Sequence, residues 1–361
     1  MRITVAAWIG SANAGDELIF AALRRKLLAR GTHVTAVSTH PAATARAGVD
    51  AVDHRDPVAV VRAVRDSNAL VFGGGGLLQD QTSAFNLPYH LSRVVLARAV
   101  RTPFAVVGVG AGPLHTAAGR WQVRHALRAA AGVSVRDTGS RDLLTALGVA
   151  GVRLAADPAV SLPTPAVAPV DVICACLRPW RAARGRLPVA TRARGDVTPA
   201  AMVARLAAGL DEASARSGMP VRLVAMQPGW DDLLHRRVAD RMHRPVALVA
   251  PPADAVVAEI AASRVVVAMR YHAGIAALLA SRPMVLIGYD PKLDGLASAL
   301  GPAGALLPWD PDALAELGPA VAKVAGHTDR VAAALADLRA REAVNDDVLD
   351  DLLSHADRAR R

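Results

Sequence analysis

The segment Val71-Phe72-Gly73-Gly74-Gly75-Gly76-Leu77-Leu78-Gln79-Asp80-Gln81-Thr82-Ser83 governs how this chain is read. The apolar residues 69–72 predict a buried strand, and residues 77–79 lead toward a helix. Glycine loses the most backbone entropy on folding, so four in succession need a reason. They suit a backbone at positive φ or one that a ligand approaches closely. At the carboxyl end of a parallel strand, that is where open α/β sheets bind ligands.

The surrounding pattern repeats this unit. Apolar runs at 3–8, 33–38, 69–72, 104–109, 133–135 and 152–155 read as strands, with helical patterns at 15–30, 57–66, 87–101, 119–131 and 138–147 between them. Such βαβ repetition predicts a mostly parallel sheet. Residues 157–169 then carry four prolines, which suit neither a helix nor a central strand, so a linker is expected. A second series follows, with strands at 171–177, 221–226, 246–249, 264–269 and 284–288. Its helices are expected at 199–217, 231–241, 253–262, 272–281 and 293–300. The Arg-, Gly- and Pro-rich segment 178–198 reads as a flexible loop. The expected organisation is a first Rossmann-like domain over 1–160, a linker over 161–170 and a second Rossmann-like domain over 171–309. Helices over 310–361 would return to brace the first domain. Two doubly wound α/β domains facing a cleft describe a GT-B-like architecture, which by itself does not decide the chemistry.

With 361 residues, the chain exceeds what one hydrophobic core usually serves. Hydrophobic residues make up 52%, charged residues 20% and aromatic residues only 3%, so Ala, Val and Leu must fill the core. The net charge is +10, and lysine occurs only at 26, 292 and 323. No dense basic run with interleaved aromatics appears, so nucleic acid is not expected as a partner. An anionic substrate or an anionic membrane surface fits the charge better. Neither a secretory signal nor a run of about 20 apolar residues is present. A cytoplasmic protein is expected, at most peripheral at the inner face of the membrane. Cys174 and Cys176 alternate on one strand face and read as core rather than as a metal site.

Candidate chemistry collects at the ends of strands. Gly10-Ser11-Ala12-Asn13-Ala14-Gly15-Asp16-Glu17 lacks the second glycine of a dinucleotide fingerprint. Asp16 and Glu17 suit a helix N-terminus, which spacing alone favours, or Asp16 enters the cleft as an acid or base. Gly108-Val109-Gly110-Ala111-Gly112-Pro113 reads as a tight turn or a second backbone wall. Arg136 either pairs with a carboxylate such as Asp157 or holds an anionic ligand in bidentate fashion. Arg270-Tyr271-His272 lies where a strand gives way to a helix, a place that favours anions and sets a proton donor beside a guanidinium. Lys292 follows the next strand, in a loop that is either solvated or functional. His33, His40, His54, His235 and His243 show no ligand spacing and read as surface or capping residues.

Taken in order, 13–17, 73–83, 108–113, 134–140, 157–159, 270–272 and 289–295 resemble the polysaccharide pyruvyl transferase family. The run at 73–83 and the last stretch most resemble the branch that pyruvylates secondary cell-wall polymers. The resemblance implies transfer of the enolpyruvyl group of phosphoenolpyruvate onto two hydroxyls of one sugar, giving a pyruvate ketal and phosphate. That chemistry requires neither metal nor nucleotide cofactor. In the cell-wall branch the acceptor is a lipid-linked saccharide containing N-acetylmannosamine. By position, Asp16, Arg270 and His272 become the catalytic candidates, with Arg136 and Lys292 as donor-binding cations. Asn13, Gly74, Gly75, Gly76, Gln79, Asp80 and Ser83 become a first-domain floor for the acceptor. Two departures stand out: Tyr271 occupies a place where the family often has Leu, and Ala111-Gly112 alters a usual glycine-proline turn. The alternatives are a nucleotide-sugar glycosyltransferase of the same architecture and a non-catalytic protein that binds an anionic metabolite.

Overall fold

A computed structural model of the chain describes residues 1–81, 83, 85–180 and 198–359. The first half runs β1 (Arg2–Ile9), α1 (Ala14–Ala29), β2 (His33–Ser38), α2 (Pro41–Ala45), β3 (Asp50–Asp53), α3 (Pro57–Arg65) and β4 (Ala69–Gly73). It continues with α4 (Asn86–Ala99), β5 (Phe104–Val109), α5 (Ala117–Leu127), β6 (Gly132–Val135), α6 (Thr138–Ala146) and β7 (Val152–Leu154). Residues 162–172 contain no helix or strand. The second half runs β8 (Ile173–Cys176), α7 (Ala200–Ser217), β9 (Val221–Val224), α8 (Asp232–Ala239), β10 (Val246–Val249), α9 (Val256–Ala261) and β11 (Val265–Ala268). Then come α10 (Tyr271–Leu279), β12 (Met284–Gly288), α11 (Pro291–Leu300), β13 (Ala305–Pro308), α12 (Pro311–Leu314), α13 (Leu317–Val324), α14 (Thr328–Glu342) and α15 (Val344–Arg358).

The strands form two sheets, ordered β3-β2-β1-β4-β5-β6-β7 and β10-β9-β8-β11-β12-β13, and all their pairings are parallel. This is the expected pair of doubly wound α/β domains. The strand order reverses between β1 and β4 in one sheet and between β8 and β11 in the other. Loops leaving the carboxyl ends of those strands diverge to opposite faces and open a crevice.

Alternation along the strands builds a core on each face. On β5, Ala105 and Val107 face the side covered by α1 and α15, while Phe104 and Val106 face α4 and α5. Cys174 and Cys176 are both buried in β8 with sulfurs 3.8 Å apart. Two strands escape the sequence pattern. β3 and β13 are sheet edges; β3 is bounded by Asp50 and Asp53, and β13 ends on Pro308. Charge and proline blunt an edge strand and erase its apolar signature.

Residues 310–361 do not act as one unit. α12 and α13 stay with the second half, packed on α7, α14 bridges α10 and α11 to the turn at 158–161, and α15 crosses to β5 and β6. The crossing is anchored by buried Asn345, which accepts from Ser134 Oγ at 2.6 Å and donates to the Ala156 carbonyl at 3.0 Å. Lys26 of α1 adds ion pairs to Glu342 and Asp346 at 2.9 and 2.6 Å. The loop expected over 178–198 falls outside the described residues from 181 to 197, as does Thr82. Among the described residues no helix is long and apolar enough to cross a membrane.

Candidate active site

One cleft of about 960 Å³ lies between the carboxyl edges of the two sheets. Its first wall begins where β1 ends. Asn13 caps α1, its Oδ1 accepting from Gly15 N at 3.2 Å, and its Nδ2 donates to Asp16 Oδ2 at 2.6 Å. The cap therefore turns Asp16 into the cleft. Burial drives the Asp16 carboxyl up to about 6, against the opposing pull of His272, Arg270, Asn13 and Lys292. Glu17 faces away and accepts from Gly10 N and Ser11 N at 2.8 and 3.1 Å.

Beyond β4 the glycine run travels beside the turn that leaves β5. Gly110 N donates to the Gly75 carbonyl at 2.8 Å and Gly112 N to the Leu78 carbonyl at 2.7 Å. Gly75 has φ +74°, and a Cβ there would stand 3.2 Å from Asp16 Oδ1. Bare backbone at 75 thus leaves the outer face of that carboxylate open. Gly110 has the same role for another group, since a Cβ on it would come within 3.0 Å of the Arg136 guanidinium.

Arg136 and His272 share one carboxylate. Asp157, only 1% exposed, receives Arg136 Nη1 at 3.2 Å and lies 3.3 Å from His272 Nε2; its other oxygen accepts from Ala159 N at 3.0 Å. Burial would raise the Asp157 carboxyl, but His272 and Arg136 outweigh it and hold it below the ordinary range. The Arg136 guanidinium also lies 4.1 Å over the Tyr271 ring. His272 stands at the start of α10 and packs against α1. A Cβ on Gly15 would stand 2.3 Å from its Nδ1, so only glycine lets the ring lie there.

The second wall is cationic. Arg270 donates from Nη2 to Asp231 and, at 3.3 Å, to Gln227 Oε1. Asp231 is itself fixed by Met226 N and Gln227 N at 3.0 and 2.9 Å. Arg178 donates to the Tyr289 hydroxyl at 2.7 Å, and Lys292 pairs with Asp290 at 3.2 Å. Burial would raise the Tyr289 hydroxyl, but Arg178 and Lys292 lower it. The Nε groups of Arg136, Arg178 and Arg270 are all buried, with no hydrogen-bond partner among the described residues. Arg136 Nε lies 3.6 Å from Asp137, and the side chains of all three arginines line the one cavity, a cationic wall suited to an anion.

A family model described as polysaccharide pyruvyl transferase matches residues 13–291, from the Asn13 cap through the β12–α11 turn. The chain belongs to the polysaccharide pyruvyl transferase family. It is therefore a transferase of polysaccharide biosynthesis. No curated protein matches the chain. Solved structures similar to this pyruvyl transferase include HepE of Anabaena in complex with UDP-glucose (13% identity, TM-score 0.57, covering 100% of this chain and 99% of that one). A UDP-GlcNAc 2-epimerase of Neisseria meningitidis bound to UDP-GlcNAc aligns at 9% identity and TM-score 0.61, covering 98% and 100% of the two chains. A glycosyltransferase of Rickettsia africae aligns at 10% identity and TM-score 0.61, covering 99% and 98%. At these identities the likeness is one of fold, the GT-B arrangement.

Within the pyruvyl transferase cleft, Asn13, Asp16, Gly75, Gly76, Gln79, Ser83, Arg136, Arg270, His272 and Lys292 all line the cavity. Two expected floor residues do not. Gly74 faces inward, where a Cβ would strike Ile19 at 1.8 Å, so its positive φ serves core packing. Asp80 is spent on the next loop, accepting from His115 N, Thr116 N and Thr116 Oγ1 at 2.7, 2.9 and 2.6 Å. His235 is not on the surface either: it is buried, with Nε2 3.1 Å from the Leu177 carbonyl. The first reading of Arg136 holds, since it pairs with Asp157; it also lines the cleft.

The sequence reading passed over Arg178, the anchor Asp231, the spacer Gly15 and the aromatic wall. All three tyrosines of this aromatic-poor chain line the cleft, together with Trp8 and Phe85. Trp8, Tyr89 and His90 pack edge to face at 5.0–5.8 Å, and His54 Nδ1 lies 2.6 Å from the Tyr89 hydroxyl. Burial presses the His90 imidazole down to about 3, so it is neutral at physiological pH. Phe20, Phe72 and Phe104 are spent on the core, so the low aromatic content did not by itself point to the cleft.

Proposed function

We propose that this cleft transfers the enolpyruvyl group of phosphoenolpyruvate to two hydroxyls of one sugar, closing a pyruvate ketal and releasing phosphate. The observation that carries the proposal is the convergence of the Arg136, Arg178 and Arg270 side chains on the same cavity as an Asp16 carboxyl raised to about 6. A carboxylate and a phosphate on one three-carbon unit match fixed cations of this kind.

The step balances with groups already present. A proton reaches the methylene carbon, leaving an oxocarbenium-like centre at the carbon that bears phosphate. One sugar hydroxyl adds to that centre, and the second displaces the phosphate oxygen. The two hydroxyl protons replace the one given to the methylene carbon and supply the one that leaves with phosphate. Asp16, beside the open backbone of Gly75, is the base for the hydroxyl. His272, held by Asp157, delivers the proton or assists phosphate departure. A carboxyl raised to about 6 exchanges protons readily near neutral pH. Trp8, Tyr89 and neutral His90 form the acceptor wall, with ring faces for sugar C–H groups and an uncharged imidazole for hydroxyls. A cleft of about 960 Å³ leaves room for a saccharide beside the donor. In the cell-wall branch that saccharide would be lipid-linked.

Incubation with phosphoenolpyruvate and a panel of soluble and lipid-linked saccharides, read by phosphate release and product mass, tests the proposal. Phosphate release together with a ketal mass increment supports it. Turnover only with a nucleotide sugar would replace it with glycosyl transfer, and anion binding without turnover would replace it with a sensor.

A further inference from the structure

Helices α3, α4 and α5 pack side by side over one face of the first sheet. Together they contain six arginines (Arg62, Arg65, Arg93, Arg98, Arg120 and Arg124) and no Asp or Glu. The exposed stripe of the middle helix is Pro88, Ser92, Val95 and Ala99, with no charge on it. A solvent-facing stripe on a helix normally carries charge. On one side of it, α3 exposes Val58, Val61, Arg62 and Arg65; on the other, α5 exposes Arg120, Trp121 and Arg124. Val58, Val95 and Trp121 are 64%, 54% and 61% exposed. The layer is an uncharged centre with a basic rim. The acids flanking it are engaged: Asp56 caps α3, Asp66 pairs with Arg65, and Asp80 accepts from His115 and Thr116 at the head of α5, while Asp53 stands exposed at the end of β3.

On the opposite face of the same domain α15 exposes Asp347, Asp350, Asp351 and Asp357, of which Asp350 pairs with Arg30 and Asp351 with Arg153.

We propose that the outer face of the α3–α4–α5 layer seats on an anionic lipid bilayer. Arginine at the rim meets headgroup phosphate, and each basic residue near such a surface adds attraction. Val95, Val58 and Trp121 enter the headgroup boundary, a level that suits an indole ring. A protein partner fits less well, because the apolar side chains stand singly on separate helices rather than lining a groove. Nucleic acid fits less well too, because the central helix presents no cation to a phosphate backbone. Phe85, 60% exposed at the head of α4, also lines the cleft, so the seat adjoins the entrance to the site. The proposal does not depend on the reaction assigned to the cleft.

Co-sedimentation of the full chain with phosphatidylglycerol–phosphatidylcholine vesicles tests it, with phosphatidylcholine vesicles and duplex DNA as separate arms. Binding to the anionic vesicles that weakens with salt is expected. Arg120→Glu with Arg124→Glu should lower vesicle affinity at least tenfold, Val95→Asp should lower it several-fold, and Asp347→Lys on the opposite face should not lower it. All these positions are exposed, and unchanged circular dichroism and melting would show the variants folded. Equal binding to both vesicle types, no binding, variants as tight as the parent, or preference for DNA would each overturn the proposal.

Discussion

Asp157, on the turn that leaves the first sheet, lies 3.3 Å from Nε2 of His272 on the first turn of a second-domain helix. The same carboxylate holds Arg136 at 3.2 Å, so one buried acid fixes a cation and an imidazole drawn from different domains. Asp157→Asn keeps the shape and removes the charge. The expected result is a fall in kcat of roughly 10²–10⁴-fold with little change in KM for phosphoenolpyruvate. Retention of kcat would remove Asp157 from a positioning role.

Gly15→Ala tests the contact between α1 and the His272 ring without weakening the helix. Alanine is favoured over glycine inside a helix by about 1 kcal/mol. The added Cβ would stand 2.3 Å from Nδ1, so the ring must move. A variant that melts near the parent but loses most of its kcat is expected, checked by thermal unfolding and phosphate release in parallel.

The raised Asp16 carboxyl makes a linked prediction about stability. Its value moves from 3.8 to about 6 in the folded chain. Between those values the folded state binds more protons than the unfolded state, so this group's contribution to stability falls as pH rises through that window. Above about pH 6 the ionised carboxylate is a net cost to the fold. Asp16→Asn should therefore abolish turnover yet stabilise the protein by about 1–3 kcal/mol at pH 8, with little gain at pH 4. Melting temperatures at the two pH values decide it; a loss of stability at pH 8 would contradict the assigned cause.

Donor and acceptor binding should separate between Arg178 and Trp8. Arg178→Gln removes a buried N–H donor from the cationic wall and should raise KM for phosphoenolpyruvate about tenfold or more. Trp8→Ala removes a ring from the opposite wall and should raise KM for the saccharide by a similar factor, leaving that of the donor nearly unchanged. Initial-rate kinetics with each substrate varied in turn reads both.

Gly75→Ala places a methyl at φ +74°, 3.2 Å from Asp16 Oδ1. Strain at that φ costs roughly 1–2 kcal/mol, and the methyl crowds the face of Asp16 turned to the acceptor. Acceptor use should suffer more than phosphoenolpyruvate binding, which isothermal titration with the donor alone would show.

Much of this was legible along the chain. Alternating strand and helix periods specify parallel sheets, because a strand buried on both faces must be apolar throughout and its crossover must be a helix. The motifs at strand ends then name Asp16, Arg136, Arg270 and His272 without any coordinates. The edge strands β3 and β13 were not legible, because charge and proline at Asp50, Asp53 and Pro308 hide them, whereas the other two edges, β7 and β10, were. Glycines could not be told apart either: Gly74 and Gly75 are adjacent and both have positive φ, yet one faces Ile19 and the other Asp16.

Tertiary structure alone decided which groups act together. Asp157 and His272 are 115 positions apart, and their meeting depends on how two sheets with separate strand orders face one another. Arg178 looked like the start of a loop until β8 took its place at the centre of the second sheet. Local sequence sets period, caps and turn chemistry, because those are interactions between near neighbours. Burial, pairing and the rise of the Asp16 carboxyl come from distant atoms that enclose the group, and only the folded chain brings them there.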